Sequence, residues 1–306
     1  MAIVDFHMHF FSRLFYDAMA AQSPQPGSVE DKLVRVSQMT GIEIPPSDLT
    51  AHTERWLKEM ELKGVEHMAA FASLLDEIPA VAEAARLAAG RLTPFALVNP
   101  LSAGTAEKVG DLMRENGFGG VLLFPAMHHF AIDDPEAEPL LEVLDRLGGV
   151  AYVHCGLLIV KLRDLLGIPR PFDLRWANPL YLIPAANAHP NVRFVVPHFG
   201  AGFFRETLMA GAQCANVYVD TSSSNGWIAT QPGKLTLRDV FESALSVFGT
   251  ERVLFGTDSN VFPAGWRRDR ADEQRRILED LGVDEAGVEA VFSGNARRLL
   301  GVPRRR

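Results

Sequence analysis

Short apolar segments recur along the chain and are separated by longer stretches with helical periodicity. Several of these segments show no alternation of polar and apolar residues, which is typical of parallel strands covered on both faces. We predict eight strands, at residues 3–10, 66–73, 92–98, 120–124, 150–155, 192–197, 217–221 and 253–257.

Helical patterns occupy most of the intervals between the predicted strands. They cover residues 76–89, 105–116, 135–147, 177–188, 203–214, 235–248 and 270–281. Gly90, Gly117 and Gly148 follow three of these segments, where a C-cap residue is expected. Strands alternating with helices predict a (β/α)8 TIM barrel that forms a single domain over residues 1–306. A doubly wound open sheet is the alternative, but no dinucleotide-type glycine fingerprint follows the first strand.

Four connections are too long to be simple turns. They cover residues 11–53, 156–176, 222–234 and 259–269, after the first, fifth, seventh and eighth strands. Each follows the C-terminal end of a strand, which is the face where barrel enzymes build their sites. We therefore predict that these loops cap a pocket.

Polar residues of the metal-ligand type stand where four of the strands end. His7 and His9 end the first strand, and His154, His198 and Asp258 end the fifth, sixth and eighth. Because side chains alternate along a strand, the two residues of the HxH pair point the same way. Closure of a barrel brings the eighth strand beside the first, while the fifth and sixth approach from across the mouth.

This joint pattern favours a metal site. Imidazole nitrogens and carboxylate oxygens bind Zn²⁺ and similar divalent ions, and a catalytic site keeps one position open for water, whose pKa falls to about 7. A neighbouring histidine or aspartate can then move protons. A lone histidine in an apolar strand is more often a core residue, and GTD alone could be a turn. Core packing and turns do not readily explain five such residues at the C-terminal ends of strands that alternate with helices.

Composition limits the possible partners. A formal net charge of −8 disfavours binding to nucleic acid, which requires a basic face. The chain has two cysteines, Cys155 and Cys214, which is no disulfide framework. No apolar stretch of about 18 residues indicates a membrane span. We expect a cytoplasmic protein that acts on a small molecule, without a nucleic-acid or membrane partner.

Several motifs resemble those of the amidohydrolase superfamily, and more closely its amidohydrolase-related branch, which contains aminocarboxymuconate-semialdehyde decarboxylase and γ-resorcylate decarboxylase. The motifs are DFHMH near the start, VHCG in the fifth strand, FGTD in the eighth and GNARRLL near the end. The resemblance covers nearly the whole chain. It implies a distorted (β/α)8 barrel, and by analogy with the related family it implies that the protein can form a homodimer.

The resemblance also implies roles for the residues at the strand ends. His7, His9, His154 and Asp258 would bind the metal ion, and His198 would be the catalytic acid/base, with Asp258 sharing in proton transfer. In some relatives the histidine of the sixth strand binds the metal instead. The roles of His154 and His198 could therefore be exchanged.

Four further residues are candidates for contact with the substrate. His128 and His129 follow the fourth strand, Trp227 lies in the loop after the seventh, and Arg205 follows the sixth. An arginine can bind a carboxylate through two parallel hydrogen bonds, so Arg205 could hold an acidic substrate. The alternatives are an exposed salt bridge for the arginine, exposed loop positions for the histidines, and packing within the loop for the tryptophan.

Two reactions are compatible with this ligand set. The first is hydrolysis of a small ester, lactone or amide by metal-activated water, with His198 and Asp258 carrying protons. The alternative is non-oxidative decarboxylation of an unsaturated or aromatic carboxylic acid. A non-catalytic binding protein would be expected to have lost a ligand, and none is missing. The ligands alone do not decide the reaction, because fold does not determine function.

Two-metal members of the superfamily bridge their ions with a carboxylated lysine at the end of the fourth strand. Residues 119–130, GGVLLFPAMHHF, contain no lysine. We therefore predict one divalent ion per chain, with Zn²⁺ as the first candidate. Metal analysis of the purified protein should give a stoichiometry near one. Two ions per chain, with activity that requires both, would contradict this prediction.

Overall fold

Eight parallel strands form one sheet in which neighbours pair in chain order. The computed structural model describes residues 2–222 and 225–303. The strands are β1 (Ile3–His9), β2 (Val65–Ala72), β3 (Leu92–Leu97), β4 (Gly120–Leu123), β5 (Val150–Val153), β6 (Arg193–Val196), β7 (Val217–Asp220) and β8 (Val253–Leu254). Every predicted strand forms, but each ends one to three residues earlier than predicted. His154, the first residue after β5, is one of the polar residues that thereby leave the ladder.

The sheet closes where β8 meets β1. The N–H of Phe6 donates to the carbonyl of Phe255 at 2.9 Å, and the N–H of Asp258 donates to the carbonyl of His7 at 3.0 Å. A nearly closed, all-parallel sheet with helices on its outside is the predicted (β/α)8 TIM barrel, and this prediction is confirmed. The open doubly wound sheet is excluded.

Fourteen α-helices occur among the described residues. They are α1 (Arg13–Ala21), α2 (Val29–Thr40), α3 (Leu49–Lys63), α4 (Ile78–Leu87), α5 (Thr105–Asn116), α6 (Pro125–His128), α7 (Glu138–Leu147), α8 (Lys161–Leu165), α9 (Leu182–Ala188), α10 (Phe204–Gln213), α11 (Leu237–Phe248), α12 (Arg268–Asp280), α13 (Glu285–Glu289) and α14 (Asn295–Leu300). Short 3₁₀ turns and one π turn connect them, at Leu75–Glu77, Leu174–Ala177, Pro179–Tyr181, Pro197–Gly200, Asn225–Thr230 and Ala290–Gly294. No helix in residues 2–222 or 225–303 is both long and apolar enough to cross a membrane.

The connection after β1 is richer in structure than the sequence pattern indicated. Residues 11–53, described above only as a long connection, contain α1, α2 and the start of α3. Ser28 and Asp31 form a reciprocal capping box at the start of α2, and Asp48 caps α3. The connection after β7 includes residues 223 and 224, which lie outside the described residues. The capping of a pocket by the four long connections stays a prediction.

Aromatic side chains fill the barrel beneath the mouth. The rings of Phe6 and Phe71 lie 6.0 and 4.8 Å from the ring of Tyr152, and all three are fully buried. Between the pairs Asp5–Met68 and Met8–Ala70, β1 contains one residue more than β2, and a shift of the opposite sense lies between the pairs Ile3–Val65 and Val4–His67. Such a bulge re-aims side chains. It allows Phe6 to join the aromatic layer while the next residue also faces the interior.

The pairing of β4 with β5 requires glycine at residue 120. A Cβ on Gly120 would lie 1.9 Å from the carbonyl oxygen of Val150, its partner in β5. We expect Gly120→Ala to lower the free energy of unfolding by more than about 3 kcal/mol. In the control Gly110→Ala, within α5, the nearest atoms to the added Cβ belong to the exposed guanidinium of Arg114, at 3.1 Å. That variant should gain up to about 1 kcal/mol. Urea unfolding measures both, and equal stability of the two variants would count against this packing.

Candidate metal centre

Three of the predicted ligands converge at the mouth of the barrel. His7 Nε2 lies 3.4 Å from His9 Nε2, and Asp258 Oδ1 lies 3.6 Å from each of these nitrogens. A tetrahedral ion with bonds of about 2.1 Å has ligand–ligand edges of about 3.4 Å. The three donor atoms therefore fit the face of a divalent metal site, and they are the donor types that such ions prefer.

The orientation of His7 is set by residues behind it. Its Nδ1 lies 2.9 Å from Asp220 Oδ2 and 2.9 Å from the hydroxyl of Tyr152. Because a carboxylate only accepts, Nδ1 carries the proton and the lone pair of Nε2 is left for an ion. Burial lowers the pKa of His7, but the carboxylates of Asp220, Asp258 and Asp5 together raise it above its ordinary value.

His9 is held by a second buried carboxylate through one serine. His9 Nδ1 lies 2.7 Å from Ser73 Oγ, and Glu77 accepts from the N–H of Ser73 at 2.8 Å and from the N–H of Ser12 at 2.6 Å. Burial lowers the pKa of His9 to about 3, although Asp258 opposes this shift. His9 is therefore neutral near pH 7 and available as a ligand. Burial also raises the pKa of Glu77 to about 7.

His154 lies beside the ligand residues, with its ring 5.3 Å from the ring of His198, but it is not one of the residues whose donor atoms converge. Two sets of potential ligand atoms lie within 4.8 Å of one another, and neither includes His154. Its buried Nδ1 has no hydrogen-bond partner among the described residues. An unsatisfied buried nitrogen costs about 1–3 kcal/mol, and a metal ion would satisfy it. Its role as fourth ligand stays a prediction.

His198 borders the group through a strained turn after β6. Its ring lies 4.9 Å from the ring of His7, and its backbone is left-handed, with φ 53° and ψ 34°. Its Nδ1 lies 2.7 Å from Ser222 Oγ, and its N–H donates to Asp220 at 3.0 Å. Burial, reinforced by His7, lowers its pKa to about 4. The anchored Nδ1 leaves Nε2 for ligation or proton transfer.

Asp5 ties the two strands that carry the converging ligands. It accepts from the N–H of His7 at 2.9 Å, from the indole of Trp266 at 2.7 Å, and from the hydroxyl of Thr257. Burial raises its pKa to about 6, although these hydrogen bonds oppose the shift. Asp5 thus joins β1 to the exit of β8 rather than facing the ligand triangle, which consists of His7, His9 and Asp258.

Sequence reasoning missed the residues that support the ligands. Asp220 is the last residue of β7. Its position at a strand end, like that of the predicted ligands, could have identified it from the sequence as a residue of the site. Tyr152 stands two residues before His154 in β5 and so shares its side of the strand. Ser73 and Ser222 carry no local signal, since only their contacts with His9 and His198 mark them. Glu77 is marked only by its contacts with Ser73 and Ser12.

The four candidates for substrate contact are more dispersed. Arg205 is exposed in the first turn of α10, and Trp227 is buried in the 3₁₀ turn after β7. His129 is exposed and its Nε2 lies 2.7 Å from the carbonyl of Pro171. His128 is half-buried, and its buried Nδ1 has no partner among the described residues. Neither His128 nor His129 belongs to the converging groups of potential metal ligands found within residues 2–222 and 225–303. The roles of all four candidates stay predictions.

Comparisons with known proteins agree with this architecture. A search of curated protein sequences gave no match. The fold is similar to that of 5-carboxyvanillate decarboxylase LigW from Sphingomonas paucimobilis (TM-score 0.66, 14% identity, 99% of each chain covered). It is also similar to a dihydroxybenzoic acid decarboxylase from Polaromonas sp. JS666 with bound manganese and the inhibitor 2-nitroresorcinol (TM-score 0.63, 17% identity, 99% of this chain and 98% of that chain covered). A third similar structure is an amidohydrolase from Burkholderia multivorans with bound zinc (TM-score 0.63, 17% identity, 99% of this chain and 100% of that chain covered).

The family comparison extends over almost the entire barrel. The amidohydrolase family model matches residues 4–302. The matched range begins in β1, which carries the HxH pair, and continues beyond α14. The resemblance predicted from the motifs is confirmed. The chain belongs to the amidohydrolase family.

Proposed function

We propose that the protein is a metal-dependent, non-oxidative decarboxylase of an aromatic or unsaturated carboxylic acid. The observation that carries this proposal is the aromatic lining of the ligand group. The ring of Phe71, in the buried layer beneath the mouth, lies 5.1 Å from that of His7, and the half-buried ring of Phe11 stacks on that of His9 at 5.1 Å. Aromatic, apolar surroundings of a metal site suit a planar substrate that presents one charged group to the ion.

Such walls also favour the loss of CO₂. A carboxylate that enters an apolar site exchanges its hydration shell for a few fixed contacts, and it loses its localised charge when CO₂ leaves. A divalent ion at His7, His9 and Asp258 would supply Lewis-acid polarisation of the substrate's oxygen atoms. The histidine-rich ligand set favours Zn²⁺.

His198 is the residue that we assign to proton transfer. Decarboxylation replaces the bond from carbon to the carboxylate with a bond to hydrogen, so one proton must reach that carbon. The pKa of His198 is lowered to about 4 by burial, but an anionic substrate beside the ring would raise it. His198 can then bind a proton with the substrate and release it to the carbon as the carbon–carbon bond breaks. Asp258, beside the same group, would share in this transfer.

The fold comparisons support the same choice without deciding it. Two of the three similar structures described above are decarboxylases of aromatic acids. One of these holds manganese, and the amidohydrolase holds zinc. At 14–17% identity, the likeness concerns the fold. The reaction and the identity of the metal are therefore part of the proposal.

Hydrolysis of a small ester, lactone or amide is the second candidate. It is favoured by the same lowered pKa of His198, about 4, because a histidine that is neutral near pH 7 can accept a proton from water. Hydrolysis needs this base from the start of the reaction, whereas decarboxylation needs a proton donor. The two reactions are separated by their products.

Isotope labelling distinguishes the two reactions. The metal-loaded protein is screened in D₂O against aromatic and muconic acids and, separately, against lactones and esters. For a decarboxylase we expect CO₂ release and one deuterium on the carbon that carried the carboxylate. Turnover of a lactone or ester without CO₂ release would instead establish hydrolysis.

Two histidine variants separate metal binding from chemistry. His9→Asn should lower metal affinity by more than about 100-fold, the upper end for outer-shell changes, since it removes a ligand. His198→Asn should retain the metal and lose about 10²–10⁴-fold in kcat. His189→Asn is the matched control. His189 follows α9 and pairs with Glu138, at the start of α7, rather than with the ligand residues. Metal content and kcat are measured for all three, and unchanged turnover in His198→Asn would remove His198 from the mechanism.

A further inference from the structure

Asp220 is the common partner of two histidines at the mouth. It is fully buried, and its Oδ2 lies 2.9 Å from His7 Nδ1. Its Oδ1 accepts from the N–H of His198 at 3.0 Å and from the N–H of Ser222 at 2.8 Å. The hydroxyl of Ser222 also contacts this oxygen. Four donors therefore surround one carboxylate, which acts purely as an acceptor.

The single proton of the Ser222 hydroxyl determines the direction of the hydrogen bond between Ser222 and His198. The hydroxyl of Ser222 has a single proton. Its contact with Asp220 needs that proton, since two oxygens without a hydrogen between them would repel. Ser222 Oγ must then accept from His198 Nδ1, which lies 2.7 Å away. The carbonyl of Ser222, 3.3 Å from the same nitrogen, is also an acceptor.

We propose that Asp220 and Ser222 are positioning residues that hold the Nδ1 proton of His198, so that Nε2 is the only ring nitrogen that exchanges a proton with the substrate. The role in turnover rests on the proposed function, since it requires His198 to transfer the proton. The assignment of the tautomer does not depend on which reaction follows.

The same pair fixes the backbone that carries the ring. His198 has φ 53° and ψ 34°, a conformation that residues other than glycine seldom adopt. The bond from its N–H to Asp220 holds this turn, and the bond from its Nδ1 to Ser222 holds the ring. One carboxylate, directly and through one hydroxyl, thus sets both the place and the tautomer of His198.

Removal of the hydroxyl tests the assignment. Ser222→Ala removes the acceptor at 2.7 Å and leaves, within residues 2–222 and 225–303, the backbone carbonyl at 3.3 Å. We expect the tautomer of His198 to shift toward Nε2–H and kcat to fall about 10- to 100-fold, as for other outer-shell changes. Ser222→Thr retains a hydroxyl and should restore both. Ser293→Ala, a buried serine that contacts Glu289 outside the mouth, is the matched control.

The tautomer is read by long-range ¹H–¹⁵N spectra of zinc-loaded, ¹⁵N-histidine-labelled protein, with His198→Asn to assign the signal. We expect Nδ1–H at His198 in the native protein, in Ser222→Thr and in Ser293→Ala. Nε2–H in the native protein would overturn it, and so would an unchanged tautomer in Ser222→Ala. A shifted tautomer in Ser222→Ala together with full turnover of His198→Asn would support the tautomer assignment and overturn only the proposed function.

Discussion

The backbone hydrogen bonds between β1 and the exit of β8 are the interaction on which the site depends. The N–H of Asp258 donates to the carbonyl of His7 at 3.0 Å. The hydrogen bond that closes the barrel therefore also brings Asp258 beside His7 and His9. Asp5 reinforces this seam by accepting from Trp266 at 2.7 Å. An open sheet of the same strands would keep the HxH pair but would hold its carboxylate elsewhere.

Unfavourable local conformations are concentrated at this mouth. Asp258 and His198 have φ values of 58° and 53°, and each such residue costs on the order of 1–3 kcal/mol. A hydrogen bond to a charged group contributes about 1.5–3 kcal/mol, so the N–H contact of His198 with Asp220 offsets a strain of this size. Asp220 therefore serves both the backbone, at the N–H of His198, and an imidazole, at Nδ1 of His7. Asp5 and Glu77 accept from backbone N–H groups beside the ligands, at His7 and at Ser73.

Local signals in the sequence were sufficient for most of the barrel. The apolar segments predicted all eight strands, because burial on both faces leaves a strong pattern. Residues 105–116 were predicted as a helix and form α5, since Gly117 ends it in the left-handed conformation. The helices between β1 and β2 were missed. α1 begins without a side-chain cap, and the capping box of α2 is a short signal within a long connection.

The sequence by itself determined which residue types stand at the strand ends, because strand position and side-chain chemistry are local properties. Only the tertiary structure decided which of them meet. The bulge in β1 turns both Phe6 and His7 inward, which strict alternation along a strand would forbid. Asp220 is separated from His7 by 213 positions and from His198 by 22. No local pattern encodes such hydrogen bonds, since their lengths are set by closure of the whole barrel.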